Sequence, residues 1–438
     1  MKIYHFPQGG LKLEDATVPP ADTSTIAFLP TYALISLTQH PGKEALPLVD
    51  TGAFVQEGML IGRGQGMGSA NIHASIPGQV VKIVSWKLAD GRTTQGVLIR
   101  LEGSFEKLGK KKDNYNWQGL SSFDLLRIIS EKGIVEMEEP GKPFIDIIRD
   151  ATGQSKKVTL VVRMIFDDPW LVADYVLAQE RLDEILIGSA ITSKASNAST
   201  IVFVISNDEI ELAERITSRS KDLGIQVTVI ITGSRYPQRN KRELETVLKQ
   251  YQKNESIDLG SYCICNPATL AAVYDAVVQN KPILERYVAV GGGAIKHPQV
   301  LRVRIGTRIG DLISQCGGFL IQPKKIATGS PLKGMIIQDL DEPITKTTIA
   351  IVALTEEQIG GETMNDCTNC GECRSVCPVR LDPEYLYKLA LLGRDSEALL
   401  HKAHSCHGCG CCEVVCPSRL PLSSTIRVSI KRGAQQAL

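Results

Sequence analysis

The sequence predicts a multidomain chain of mixed α/β and α+β class, on three observations. Residues 120–280 alternate helix-like and strand-like runs, the mark of an α/β layer on a largely parallel sheet. Short β-type runs separated by glycine turns precede it, from residue 34 to about 103. Two copies of C-x2-C-x2-C-x3-C-P close the chain, at Cys367, Cys370, Cys373 and Cys377-Pro378 and at Cys406, Cys409, Cys412 and Cys416-Pro417. A chain of 438 residues has room for several domains, at about 100–200 residues each. The chain divides into an arm (1–35), a β-rich domain (36–106), the α/β domain (120–284), a small α+β domain (285–355) and the cysteine module (356–438).

The doubled run has the ligand spacing of bacterial two-cluster ferredoxins, in which three thiolates close round one [4Fe–4S] cube and the fourth reaches the other. A tight turn points three cysteines of one loop at one face, and the fourth starts a helix facing the neighbour. On this reading Cys367, Cys370, Cys373 and Cys416 hold one cluster, and Cys406, Cys409, Cys412 and Cys377 the other. The alternative is a pair of zinc knuckles on a non-redox scaffold. Zinc needs only four ligands per site and does not account for the third cysteine or the repeated Cys-Pro ending. A disulfide framework suits neither this length nor the absence of a secretory signal. Cys411, His401, His404 and His407 crowd the same loop and are expected beside a cluster or at the surface, with Cys411 the residue a ligand swap would draw in.

Composition narrows the classes. A net charge of +1 gives no support for nucleic-acid binding, and no apolar run reaches the roughly 18 residues that span a bilayer. Of the 12 cysteines, Cys263, Cys265 and Cys316 remain outside the doubled run and its loop, and are expected as buried small apolar residues. Iron–sulfur clusters imply a reducing compartment, the cytoplasm.

Taken in order, 1–35 is a turn-rich lead-in (Pro7, Gly9-Gly10, Pro19-Pro20, Pro30) expected to pack as an extended arm. The β-type runs at 45–49, 58–61, 79–83 and 96–101, with the turn His73 to Gly78, resemble the half-barrel of biotinyl and lipoyl carriers. The hairpin tip Gly66-Met67-Gly68-Ser69-Ala70-Asn71 has no lysine to modify, so the resemblance implies a fold and not a swinging arm; Lys82 and Lys87 lie beyond the turn. A basic linker, Lys107 to Asn116 with Lys110-Lys111-Lys112, reads as a solvated connection. Helices are expected at 125–134, 170–187, 209–223, 241–251 and 268–280, and strands at 157–162, 200–205 and 226–232. This Rossmann-like layer is of a kind that binds nucleotides. Strands at 287–290 and 301–305 and a helix at 309–316 outline a β-grasp unit. Helices at 383–392 and 395–402 separate the cysteine runs, and 425–432 is a basic helix end.

Half-barrel, α/β layer, SLBB-like β-grasp and dicluster module, in that order, resemble the RnfC family, a peripheral component of the Rnf electron-transport complex and kin to the flavin-bearing NADH-binding subunit of respiratory complex I. The matching stretches are Phe6-Pro7 with Gly9-Gly10, Gln39-His40-Pro41-Gly42, Ser69 to Gly78, Tyr236-Pro237-Gln238, Asn266-Pro267-Ala268-Thr269, Arg302 to Gly318 and the cysteine runs. The resemblance implies electron passage through FMN and two [4Fe–4S] clusters, in a peripheral subunit on the cytoplasmic face of the inner (plasma) membrane. It implies membrane subunits of an Rnf-type ion-translocating complex as partners, and ferredoxin or flavodoxin as carrier.

The departures from the family's pattern bear on the flavin. Where the family has its GxGGAGFP loop, which lets backbone N–H groups approach FMN, the text here is Gly133-Ile134-Val135-Glu136-Met137-Glu138-Glu139-Pro140-Gly141-Lys142-Pro143-Phe144. Carboxylates at Glu136, Glu138 and Glu139 repel a phosphate in a partly desolvated site by kcal/mol amounts, unless the loop is merely a solvated turn. The family's ECEPYxxAD motif reads Phe166-Asp167-Asp168-Pro169-Trp170-Leu171-Val172-Ala173-Asp174, and Arg239-Asn240 follow Tyr236-Pro237-Gln238 where the family has glycine. FMN and NADH sites are therefore expected to be lost around Glu136, Gly141, Asp167 and Asp168, leaving no catalytic residue and no NADH dehydrogenase activity of the chain's own. Arg374, Arg380, Arg419, Arg427, Lys431 and Arg432 are candidates to steer an acidic carrier, or an ordinary charged surface. A rival in the same class is a soluble relay to a cytoplasmic reductase such as proline reductase, which co-purification with membrane flavoproteins would exclude.

Overall fold

A computed structural model of the chain describes residues 2–87, 93–105, 115–360 and 363–436. The basic run Lys110-Lys111-Lys112 lies outside them. The α/β layer is a five-stranded parallel sheet in the order Ile3–Tyr4, Thr228–Thr232, Thr200–Ser206, Val158–Met164, Ser261–Cys265. Its inner strands are runs of β-branched and apolar residues because both faces are covered by helices. Val158, Leu160, Val161, Val162, Val202, Phe203, Val204 and Ile205 are all buried, each contributing about 1.5–3 kcal/mol relative to exposure.

The layer departs from the sequence-based expectation in its two edge strands, Ile3–Tyr4 and Ser261–Cys265, neither of which was anticipated, and in its helices. The stretch 170–187, expected as one helix, is a 3-10 turn Pro169–Leu171, a helix Val172–Glu180 and, after a break, a helix Leu182–Ser196. Arg181 leaves helical geometry (φ −121°, ψ 34°), and its guanidinium makes a two-pronged pair with Asp275 at 2.6 and 3.2 Å. The helix Phe144–Gln154 was not anticipated, although Phe144, Ile145, Ile148 and Ala151 bury one face of it at helical spacing. The prolines at 140 and 143 obscure its start, Pro143 being the residue that precedes its first turn.

The half-barrel has one sheet in the order Tyr32–Ser36, Thr93–Leu101, Gly78–Lys87, Phe54–Val55 and a second of Leu46–Pro47, Leu60–Arg63, Ile72–His73. They enclose Ile35, Leu37, Val55, Ile61, Ile72, Val80, Val97 and Ile99. Its hairpin tip is docked: Gly68 N–H donates to Asp146 at 2.8 Å and Asn71 Nδ2 to the Glu131 carbonyl at 3.0 Å. The β-grasp sheet runs Met335–Ile337, Lys325–Thr328, Ala350–Leu354, Glu285–Gly291, Gln299–Arg304, Ser24–Ile26, with helix Ile309–Gln315 packed through Leu312 and Ile313. The lead-in is thus more than an extended arm, since its two short strands extend two different sheets. In the cysteine module, helices Pro383–Leu391, Asp395–Leu400 and Leu422–Gln436 pack on the two runs. The small apolar cysteines behave as expected, with Cys263, Cys265 and Cys316 fully buried.

Candidate metal centre and the cleft beside it

The two cysteine runs fold as copies of one device. Gly371 and Gly410, at φ 77° and 81°, open the short helices Glu372–Ser375 and Cys411–Val414, where a left-handed turn brings three cysteines round to one side. Each Cys-Pro ending then turns back through a left-handed arginine, Arg380 (φ 58°) and Arg419 (φ 53°). The returning backbone donates to the fourth sulfur in each copy, Leu381 N–H to Cys377 Sγ at 3.3 Å and Leu420 N–H to Cys416 Sγ at 3.5 Å. Asn369 N–H likewise meets Cys367 Sγ at 3.4 Å. Donors aimed at sulfur stabilise thiolates and raise the potential of whatever they bind.

One small cavity is lined by Cys367, Cys370 and Cys373 of the first run together with Cys416 of the second. The lining thus draws three cysteines from one loop and one from the other. Cys377 in turn lies within electrostatic reach of Cys406, Cys409 and Cys412. Cys370 is exposed, whereas Cys377 and Cys412 are buried, so the first set reaches the surface and the second faces inward. Among the described residues no three Cys, His, Asp or Glu side chains converge tightly enough for a single metal ion. Cys411 is fully buried against Tyr236, Val376 and Leu332; its thiol hydrogen-bonds Cys409 and holds that thiol below the ordinary range. His401 is exposed and meets Tyr385 edge-on, with centroids 5.0 Å apart.

Three basic residues of the module, Arg374, Arg427 and Arg432, make contacts within it. Arg374 is taken up by Asp382, Arg432 by Asp395 at 2.9 Å, and Arg427 lies so close over Gly408 that a Cβ there would meet its Cδ at 2.6 Å.

Four family descriptions match the chain in sequence. They are the RnfC barrel sandwich hybrid domain over residues 7–104, the Nuo51 FMN-binding domain over 129–275, the SLBB domain over 287–337 and a 4Fe-4S dicluster domain over 361–425. The RnfC-type component of a proton-translocating ferredoxin:NAD(+) oxidoreductase complex from Clostridium ljungdahlii is 32% identical over 86% of this chain and 83% of its own. This chain belongs to the RnfC family. The corresponding component of an ion-translocating oxidoreductase complex from Rhodobacter capsulatus is 30% identical over 81% of this chain and 69% of its own. That of the Na(+)-translocating ferredoxin:NAD(+) oxidoreductase complex of Acetobacterium woodii is 26% identical over 81% and 80%. In fold alone, the chain is like one in the crystal structure of an NAD+-reducing [NiFe]-hydrogenase in the H2-reduced state. The TM-score is 0.52 at 13% identity, covering 75% of this chain and 65% of that one.

Members of the RnfC family invite a test of the FMN loop, and here its acidic stretch is no solvated turn. Glu136 is buried at the N-terminus of helix Pro267–Val278, where its carboxylate accepts from Asn266 N–H at 3.0 Å and from the Thr269 hydroxyl at 2.9 Å. A helix N-terminus is the place where a phosphate would be received, and here a side chain of the chain itself fills it. Burial pushes Glu136 up to about 7 against the opposing pull of Arg163. Burial raises Glu138 as well, but Arg163 and Arg239 outweigh it and hold that carboxyl below the usual range. Asp167, raised by burial to about 7, accepts from Arg239 N–H at 3.0 Å. Asp168 caps the turn Pro169–Leu171, and Gly141, at φ 74°, packs on the Gln39 carbonyl. These loop residues are therefore held by partners within the protein, Asn266, Thr269, Arg163, Arg239 and Gln39. What remains is a cleft of about 290 Å³ between the α/β layer and the β-grasp, with Glu138, Asp168, Tyr236, Arg239, Lys333 and Met335 in its wall. Arg163, Lys333 and the hydroxyl of Tyr236 were not legible as site residues, because each acts through a partner far away in sequence.

Proposed function

We propose that this RnfC-family chain is an electron-transfer subunit of an Rnf-type ion-translocating oxidoreductase complex, relaying single electrons through two [4Fe–4S] clusters without an FMN or NADH site of its own. The ligands are Cys367, Cys370, Cys373 and Cys416 for one cluster and Cys406, Cys409, Cys412 and Cys377 for the other. The observation that carries this reading is the cavity walled by three cysteines of one run and the fourth of the other. A bound cluster supplies one-electron carriage; the chain supplies the N–H donors and burial that set its potential.

Loss of the flavin is supported by Glu136 at the helix N-terminus and by the Glu138, Arg163 and Arg239 ion pairs beside it. The half-barrel, α/β, β-grasp and cluster parts are assigned to 36–106, 120–284, 285–355 and 356–438, with the first strand of the barrel reaching back to Tyr32. Relatives named as subunits of ferredoxin:NAD(+) oxidoreductase complexes favour membrane subunits as partners and ferredoxin or flavodoxin as carrier, at the cytoplasmic face of the membrane. No helix among the described residues is long and apolar enough to cross it, in keeping with a peripheral place.

Anaerobically prepared protein is expected to be brown, bleached by dithionite and unaffected by NADH. Reduction by NADH would overturn the flavin-free part, and a colourless, zinc-loaded protein would overturn the relay.

A further inference from the structure

Asn240 precedes the helix Lys241–Glu255 with extended backbone (φ −61°, ψ 146°), yet its side chain caps nothing. Asparagine is among the best residues at that position because its side-chain oxygen satisfies a free N–H of the first turn. Here the amide is engaged elsewhere. Its Oδ1 accepts from Lys333 Nζ at 2.8 Å, and its Nδ2 faces His407 Nδ1 at 3.0 Å. An amide nitrogen only donates, so His407 Nδ1 accepts and the imidazole carries its proton on Nε2. Nε2–H then donates to Glu243 Oε1 at 3.1 Å. The donation from Lys333 fixes the amide orientation on which this assignment depends.

The surroundings make the chain of bonds a joint. Lys333 comes from the β-grasp hairpin, Asn240 and Glu243 from the α/β layer, and His407 from between cluster cysteines 406 and 409. Glu243 is 3% exposed, with no hydrogen-bond partner for its second oxygen. A second arm leaves the same lysine: its ammonium lies 5.3 Å from the centroid of the Tyr236 ring, and the Tyr236 hydroxyl donates to the Cys409 carbonyl at 2.7 Å. The inward-facing cysteine loop is thus gripped at two successive points, His407 and Cys409. Asn240 is one of the positions where the family's glycine is replaced.

We propose that Lys333, Asn240, His407 and Glu243 are positioning residues that fix the 406–412 loop against the cleft and set the potential of the second cluster, with Glu243 as a buried negative charge held one imidazole away. The inference rests on the two-cluster reading. Cluster potentials follow net charge, hydrogen bonding and exposure, so removing that charge favours the more negative, reduced cluster.

The test is a potentiometric titration of the full anaerobic chain followed by electron paramagnetic resonance, with the second cluster identified as the signal that Cys409→Ser alters. Glu243→Gln is expected to shift that midpoint upward and leave the other unmoved. Asn240→Gly is expected to change the line shape of the same signal. His407→Gln, which keeps an N–H for Glu243, should stay nearer the parent midpoint than His407→Phe. Unmoved midpoints in Glu243→Gln and His407→Phe with both clusters fully present, or equal shifts of both clusters, would overturn the proposal. Iron absent from the unsubstituted protein would overturn the two-cluster reading, and this inference with it.

Discussion

Lys346 is a fully buried lysine whose ammonium donates to two backbone carbonyls, Asn71 at 2.9 Å in the half-barrel and Gly133 at 2.8 Å in the α/β layer. Burial lowers its pKa to about 7. In the unfolded chain a lysine titrates near 10.4. Below about 7 both states are protonated and the fold bears the full cost of the buried charge. Between about 7 and 10.4 the unfolded state holds more protons, so stability rises with pH across that window. Denaturant midpoints measured from pH 7 to 10 should therefore rise in the parent relative to Lys346→Met; equal slopes would contradict the assignment. His73, lowered to about 3 mainly by burial, acts in a separate, acidic window, whereas the buried thiols of Cys263, Cys265 and Cys316, raised by burial, oppose the rise at its alkaline end. Glu136 illustrates what single residues reveal in sequence and what they do not. The sequence shows a carboxylate where the family has a small residue, and hence raises the expectation that a phosphate is opposed. It does not show that Asn266 and Thr269 are waiting for that carboxylate, because the contact joins positions more than 125 apart.

Among the elements, those with a sustained period were legible: the strands Val158–Met164 and Thr200–Ser206, the helices Ile210–Asp222 and Lys241–Glu255, and the doubled cysteine turn. The two-residue strand Ile3–Tyr4 was not, since two residues carry no period and its place is decided by the open edge at Thr228–Thr232. The segment that follows it reaches the cysteine module, where Gly10 N–H donates to the Val376 carbonyl at 2.9 Å. Gly9 sits at φ 70°, and a Cβ on it would meet the Val376 oxygen at 2.7 Å. Gly9→Ala should cost about 1–3 kcal/mol, read as a lower thermal midpoint, and should hasten iron loss in air; an unchanged midpoint and iron content would show that the arm is dispensable there. Arg286 and Asp174 join the β-grasp strand Glu285–Gly291 to the helix Val172–Glu180 through a pair at 2.8 Å, 0% and 2% exposed. Removing one partner of such a pair leaves a buried charge alone, so Arg286→Met should destabilise by about 3–5 kcal/mol in denaturant unfolding.

For the whole molecule, the first set of cysteines reaches the surface at Cys370, and the inner set is met by the α/β layer through Tyr236, by the β-grasp hairpin through Leu332 and by the N-terminal arm through Gly9. On the proposed flavin-free reading, the α/β layer works as a frame that seats the clusters, with the ion pairs of Glu138, Arg163 and Arg239 at its loop. If so, replacing Glu136, Glu138 and Arg239 together by glycine should not by itself abolish the clusters, and it is the change most able to restore flavin binding, readable as bound FMN fluorescence. The decisive determination is iron, acid-labile sulfide and FMN on the same anaerobic preparation. About eight iron and eight sulfide per chain with no flavin are expected from two [4Fe–4S] clusters; stoichiometric FMN, or protein free of labile sulfide, would contradict it.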